Sequence, residues 1–193
     1  MLHFDGTLVR ATQTLLDRQE IHDLVCRYCR AVDRLDRELL LSVYHPDAID
    51  DHGLIVGGPE AVADWIIEFH GKHQAATQHI ITNHVCELDG VVAHTETYWM
   101  LAATNVDEPR LSLSGGRYID RFEKRGERWG IVVRKTLVDW GGEPGTMPIP
   151  QAMVDAFLAT GVPSRDRRDP SYERPLRIEP SRVGFLFGQE RKP

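Results

Sequence analysis

The chain has no run of eighteen apolar residues, no second cysteine pair and no excess of basic charge, and each absence excludes a class of function. A spanning helix needs about twenty predominantly apolar residues. With 23 Lys and Arg against 29 Asp and Glu, the formal charge is −6, so the overall field opposes nonspecific binding to nucleic acid or an anionic membrane. The cysteines are Cys26, Cys29 and Cys86, an odd count that suits a reducing compartment better than a disulfide framework. Cys26-x-x-Cys29 has the spacing of a zinc or redox half-site but falls inside a helical pattern, so buried or semi-buried free thiols and no metal are expected. Met1 to Gly6 show neither a basic nor an apolar leader pattern, and a soluble cytoplasmic protein is expected. G-x-S-x-G, Walker and dinucleotide fingerprints are also missing, and no cofactor is expected.

The 193 residues suffice for one domain and an appendage. Ile21, Leu24, Val25, Tyr28, Val32 and Leu35 recur at helical spacing and predict a long helix over 15–35. Asp36 is placed to cap a second, short helix running to about Tyr44 and ended by Pro46. A small hairpin around His52-Gly53 follows, and Gly58-Pro59-Glu60 opens a third helix carrying Val62, Trp65, Ile66 and Phe69. The pattern then turns to strands over 79–88, 91–104, 110–124 and 128–140, joined by short polar connections of hairpin type. Helices first and a meander after predict an α+β domain, a curved antiparallel sheet wrapping three N-terminal helices. Gly115-Gly116 reads as a bulge or bend within its strand. The expected organisation is an N-terminal arm over 1–11, the domain over 12–140, and a C-terminal extension over 141–193 with one short helix, Gln151 to Thr160.

Three ionisable residues stand in segments that otherwise read as core, where a charge costs free energy unless paired. Tyr28 and Asp33 lie about 140° apart on a helical wheel and flank the apolar stripe. Asp33 can face a cavity or pair with Arg37 one turn on. Period two places His79, Ile81, Asn83 and Val85 on one strand face and His84 on the other, so the two histidines make a poor metal pair. Arg134 shares a face with Val132, Thr136 and Val138 and calls for an anionic partner: Asp33, a substrate oxyanion, or Asp120 or Glu123 of the neighbouring strand. Asp47, Asp50, Asp51 and His52 form an acidic cluster whose spacing matches no calcium loop and which falls at a turn.

Arg27-Tyr28-Cys29-Arg30-Ala31-Val32-Asp33, Tyr44-His45-Pro46-Asp47-Ala48, Gly58-Pro59-Glu60-Ala61, Gln78-His79-Ile80-Ile81-Thr82-Asn83, Gly116 to Phe122, Trp129 to Arg134 and Asp139-Trp140 form an ordered set over about residues 12 to 140. The set resembles SnoaL-like proteins of the nuclear transport factor 2-like superfamily. That resemblance implies a cone of curved sheet with three helices around an apolar pocket. It also implies the Asp-His pair of scytalone dehydratase, bile-acid dehydratases and hexachlorocyclohexane dehydrochlorinase, which maps to Asp33 and His79, with Arg134 and Tyr28 as further catalytic residues. Tyr44, Asn83, Tyr98 and Trp65 are expected to bind substrate. The bile-acid enzymes add an aspartate on the strand after the histidine, where 91–104 offers only Glu96, on a face with His94 and Tyr98. The expected function is a cofactor-independent lyase acting on a small, largely apolar cyclic substrate by dehydratase-like elimination. An isomerase or cyclase using the same base, and a noncatalytic ligand-binding or subunit-assembly module, are the alternatives. A homo-oligomer, dimer or trimer, is expected to form through the outer sheet face, with Trp99 and Leu101 in the contact.

Overall fold

The computed structural model describes residues 6–145, 148–183 and 187, in two compact units that divide between Pro144 and Gly145. In the first unit, α1 (Gly6–Asp33) is followed by α2 (Arg37–Leu41), β1 (Tyr44–Asp51), β2 (Val56–Gly57) and α3 (Pro59–His73). Four long strands complete it: β3 (Gln74–Asp89), β4 (Val92–Asn105), β5 (Leu111–Arg125) and β6 (Arg128–Gly142). With β1 and β2 they form one curved six-stranded sheet in the order β2-β1-β6-β5-β4-β3. The second unit holds α4 (Gln151–Leu158), two short 3-10 turns and a cavity of about 900 Å³ lined only by residues 158–182. Residues 6–11, expected as part of an arm, are the first turns of α1, and residues 1–5 lie outside the described residues. No helix of the described residues is long and apolar enough to cross a membrane.

The predicted stripe of α1 is its buried face: Ile21, Leu24, Val25, Tyr28 and Val32 pack against the sheet. The helix stops because Leu35 takes a left-handed conformation, φ 51°, and Asp36 N–H reaches back to the Ala31 carbonyl at 2.9 Å. That is a Schellman ending at a non-glycine residue, which costs free energy without a compensating contact. The Leu35 side chain supplies one by packing beside Gly71 of α3. Asp36 then caps α2 as predicted, accepting the Leu39 N–H at 3.0 Å. However, α2 ends at Leu41, and Tyr44 to Pro46 belong to β1. Proline is tolerated there because the register with β6 is broken between Tyr44 and Ile49.

The β3-β4-β5-β6 meander is antiparallel as expected, but β1 lies parallel to β6. Alternation reveals that a segment is a strand, not which distant edge it joins. The bend expected at Gly115-Gly116 is present as a register shift against β6. A Cβ at Gly116 would stand 1.9 Å from the Leu137 carbonyl oxygen, and one at Gly115 would enter the Trp140 indole.

Two face assignments are overturned. A bulge between Ile81 and His84 shifts the β3 register by one residue against β4, so His79 and Ile81 share the inner face with His84 and Cys86, while Asn83 and Val85 turn outward. His84 accordingly meets His22 of α1 edge-on at 5.3 Å and bonds Thr97 Oγ1 at 2.8 Å. On β4 the inner face is Ala93, Thr95, Thr97, Trp99 and Ala103, so Trp99 is a core residue, Leu101 packs against the core, and Tyr98 is on the outside. Both faces of β4 carry large apolar groups, and parity alone does not rank them. Cys29 and Cys86 are buried free thiols as expected, whereas Cys26 is exposed.

Helix α1 is held across the sheet by Asp17, whose Oδ1 accepts from Lys124 Nζ at 2.8 Å, Trp129 Nε1 at 2.9 Å and Gln13 Nε2 at 3.1 Å. Burial works against the Asp17 charge, but these hydrogen bonds outweigh it and hold the carboxyl below the ordinary aspartate range. A carboxyl lowered in the folded state contributes stability above its unfolded pKa of about 3.9 and loses it as pH falls through the lower folded value. Asp17→Asn should therefore cost about 1.5–3 kcal/mol at neutral pH. It should also flatten the acid fall in urea-unfolding free energy below about pH 4. An acid limb equally steep in wild type and variant would show that Asp17 does not carry it.

Candidate active site

Asp33 is the last residue of α1 and His79 lies near the start of β3, 46 positions later. His79 Nδ1 lies 2.7 Å from Asp33 Oδ1, and the His79 backbone N–H donates to both carboxylate oxygens, at 3.2 Å and 3.0 Å. One carboxylate thus grips both ring and backbone of the same residue, which fixes the ring's orientation. The side chains are 7% and 13% exposed, so the pair is shielded yet reachable. Arg37, the alternative partner considered for Asp33, pairs instead with Asp64 at 2.5 Å.

The wall beside His79 comes from α3. His70 meets the His79 ring edge-on at 5.8 Å and Phe69 at 5.6 Å, and its Nδ1 pairs with Gln74 Oε1. Phe69 stacks on Trp65 at 5.0 Å, and Trp65 lies 6.1 Å from His52. Trp65 is therefore on the same aromatic row as the dyad.

Arg134 is fully buried and occupied elsewhere. Its Nε and Nη2 donate to Asp120 at 2.8 Å and 2.7 Å, both side chains having no exposure. The guanidinium is sandwiched between the rings of Tyr28 and Tyr118, at 4.1 Å and 4.2 Å. Of the partners considered for Arg134, the cross-strand Asp120 is the one engaged, and Asp33 is not. Burial pushes the Asp120 carboxyl up, with the Arg134 charge restraining the rise. Burial likewise pushes the hydroxyls of Tyr28, Tyr44 and Tyr118 well above the ordinary tyrosine range, which keeps them neutral. Tyr28 therefore supports Arg134 and packs edge-on against Tyr44 and Tyr118. Tyr44 donates to Asp50 Oδ2 at 2.6 Å and borders a separate cavity of about 560 Å³ with His45, Glu60 and Arg128.

Of the residues expected to bind substrate, Trp65 and Tyr44 face the interior, whereas Asn83 and Tyr98 are exposed on the other face for the reasons given above. Sequence reasoning passed over Asp50 and Tyr118. Asp50 is 1% exposed, though it reads as one member of a turn cluster. The available signal was its period-two relation to Ala48, also buried. Among the described residues no group of three or more His, Cys, Asp or Glu side chains is arranged to hold a metal ion.

A SnoaL-like domain model matches residues 13–135, and the chain belongs to that family. Solved structures agree on the fold. A type 2 hexachlorocyclohexane dehydrochlorinase, LinA, is 19% identical, with 72% of this chain and 96% of that one covered at a TM-score of 0.67. A candidate scytalone dehydratase from Novosphingobium aromaticivorans is 15% identical over 72% of this chain and 97% of its own, TM-score 0.63. The Kfla4162 protein of Kribbella flavida is 20% identical over 67% and 95%, TM-score 0.61. No curated protein matches the sequence. The curved sheet and N-terminal helices are those of the nuclear transport factor 2-like superfamily.

Removing one member of the buried pair strands the other's charge. Arg134→Met should lower the urea-unfolding free energy by about 3–5 kcal/mol, and Arg134→Met with Asp120→Leu should recover most of that loss. A single variant within about 1 kcal/mol of wild type would show that the pair is not what holds the two strands in place.

Proposed function

We propose that the protein is a cofactor-independent lyase in which His79 removes a proton from a carbon beside an electron-withdrawing group and a leaving group departs from the adjacent carbon. The observation that carries this reading is the Asp33–His79 contact, with Nδ1 engaged at 2.7 Å by a carboxylate that also holds the backbone of the same residue. A carboxylate on Nδ1 selects the tautomer with Nε2 free to accept a proton, and it stabilises the imidazolium that forms. The aromatic pair Trp65–Phe69 beside the histidines suits a small, largely apolar cyclic substrate. The eliminations named for two structural neighbours, a dehydrochlorinase and a dehydratase, are the same class of reaction.

The test uses 4-(4-nitrophenoxy)-2-butanone, whose elimination begins with proton loss beside the ketone and releases 4-nitrophenol. Wild type should accelerate release with a primary isotope effect from the deuterated carbon. His79→Ala should lower kcat/KM by about 10²–10⁴-fold with an unchanged circular-dichroism spectrum. Asp33→Asn should act mainly on kcat. Full turnover in His79→Ala, or no acceleration by wild type, would overturn the base assignment in favour of a noncatalytic binding module.

A further inference from the structure

A hydrogen bond in the plane of a ring holds one edge of it and leaves the ring free to tilt about that edge. Asp33 engages the His79 imidazole at Nδ1 alone, its other contacts going to the backbone N–H of the same residue. Tilting about that edge swings Nε2, the atom that takes the proton, and transfer depends on the distance and alignment of that atom. A second contact away from Nδ1 fixes the plane. His70 of α3 makes one: the two imidazoles meet edge-on, 5.8 Å between centroids at an interplanar angle of 69°. His70 is itself buried and packs edge-on against Phe69 at 5.6 Å.

His70 is fastened to the strand that carries His79. Helix α3 ends at His73 and β3 begins at Gln74, with no connecting residue between them. Across that junction the Gln74 backbone N–H donates to the His70 carbonyl, and His70 Nδ1 donates to Gln74 Oε1. An amide oxygen only accepts, so Gln74 sets which edge of the His70 ring turns toward it. A register shift between Gln74 and Ala76 bends the strand just past the junction. On the other side, Leu35, shortly after Asp33, packs beside Gly71, the residue after His70. The helix that supplies Asp33 and the helix that supplies His70 are thus joined where both reach His79.

We propose that His70, tethered by Gln74, is a positioning residue for His79, holding the imidazole in the plane in which Asp33 engages Nδ1 and Nε2 faces the substrate carbon; this rests on the lyase reading above. The contact is of ring against ring and calls for no particular charge on His70. It acts on the chemical step, because it governs where Nε2 stands once substrate is bound, and not on the affinity for substrate.

Two readouts on the full-length protein separate the seating of the ring from the chemistry. The first is the Nδ1 proton that His79 shares with Asp33, followed by NMR with isotope-labelled histidine and assigned by its loss in His79→Ala. His70→Ala should speed exchange of that proton with water by about tenfold or more. The second is turnover of 4-(4-nitrophenoxy)-2-butanone by variants that circular dichroism shows to be folded. There His70→Ala should lower kcat by about 10–10²-fold and leave KM within about twofold. His70→Phe, which returns a flat ring with no donor for Gln74 to satisfy, should recover most of the lost kcat and slow the exchange again. Gln74→Ala removes the tether and leaves the ring; it should give the same two changes in smaller degree, and it serves as the second variant should His70→Ala not fold. Unchanged exchange, or unchanged kcat beside faster exchange, would overturn the inference and leave the base reading standing. Wild type without turnover would overturn the lyase reading, and the exchange comparison would still show whether His70 seats the ring.

Discussion

A guanidinium with no exposure to water, Arg134, constrains the rest of the first unit. Removing that charge from solvent is unfavourable by several kcal/mol, so the fold must present a carboxylate in bidentate geometry and faces able to receive a cation. Asp120 on β5 meets the first need, and the rings of Tyr28 on α1 and Tyr118 on β5 meet the second. Because those partners come from α1 and β5 while Arg134 itself stands on β6, satisfying one side chain sets the height of the first helix on the sheet. The aromatic neighbours extend the arrangement, Tyr44 to Tyr28 and Trp99 to Tyr118.

Placing Tyr28 places Asp33, the last residue of the same helix. The helix then ends abruptly, through the left-handed Leu35 and its contact with α3, and the carboxylate is left facing the start of β3. The Asp33–His79 contact thus follows from helix termination, and the polar row around Arg134 is a separate arrangement.

Much of this was legible from residue patterns. The α1 stripe, the Asp36 cap, the proline opening α3 and the glycine bend in β5 are local matters, governed by spacing and backbone sterics within a few residues. Asp33 and His79 stood out as ionisable groups in apolar segments, but their pairing was legible only through the resemblance to SnoaL-like proteins. Asn83 and Tyr98 were placed on the wrong face for different reasons. One extra residue in β3 inverts every side chain beyond it, and in β4 Tyr98 and Trp99 offer equally apolar alternatives to the core.

The sequence by itself determined the family, the order of helices and strands, and the pairing of Asp33 with His79, because periodicity, capping and isolated charges act at short range or through a family's ordered motifs. Tertiary structure alone decided that β1 joins β6 in parallel, that Asp120 and not substrate engages Arg134, and that Asp50 stands beside His52 on the inner face. Those choices depend on which strands become neighbours and where a bulge shifts the register, and both are settled by packing between segments far apart in the chain.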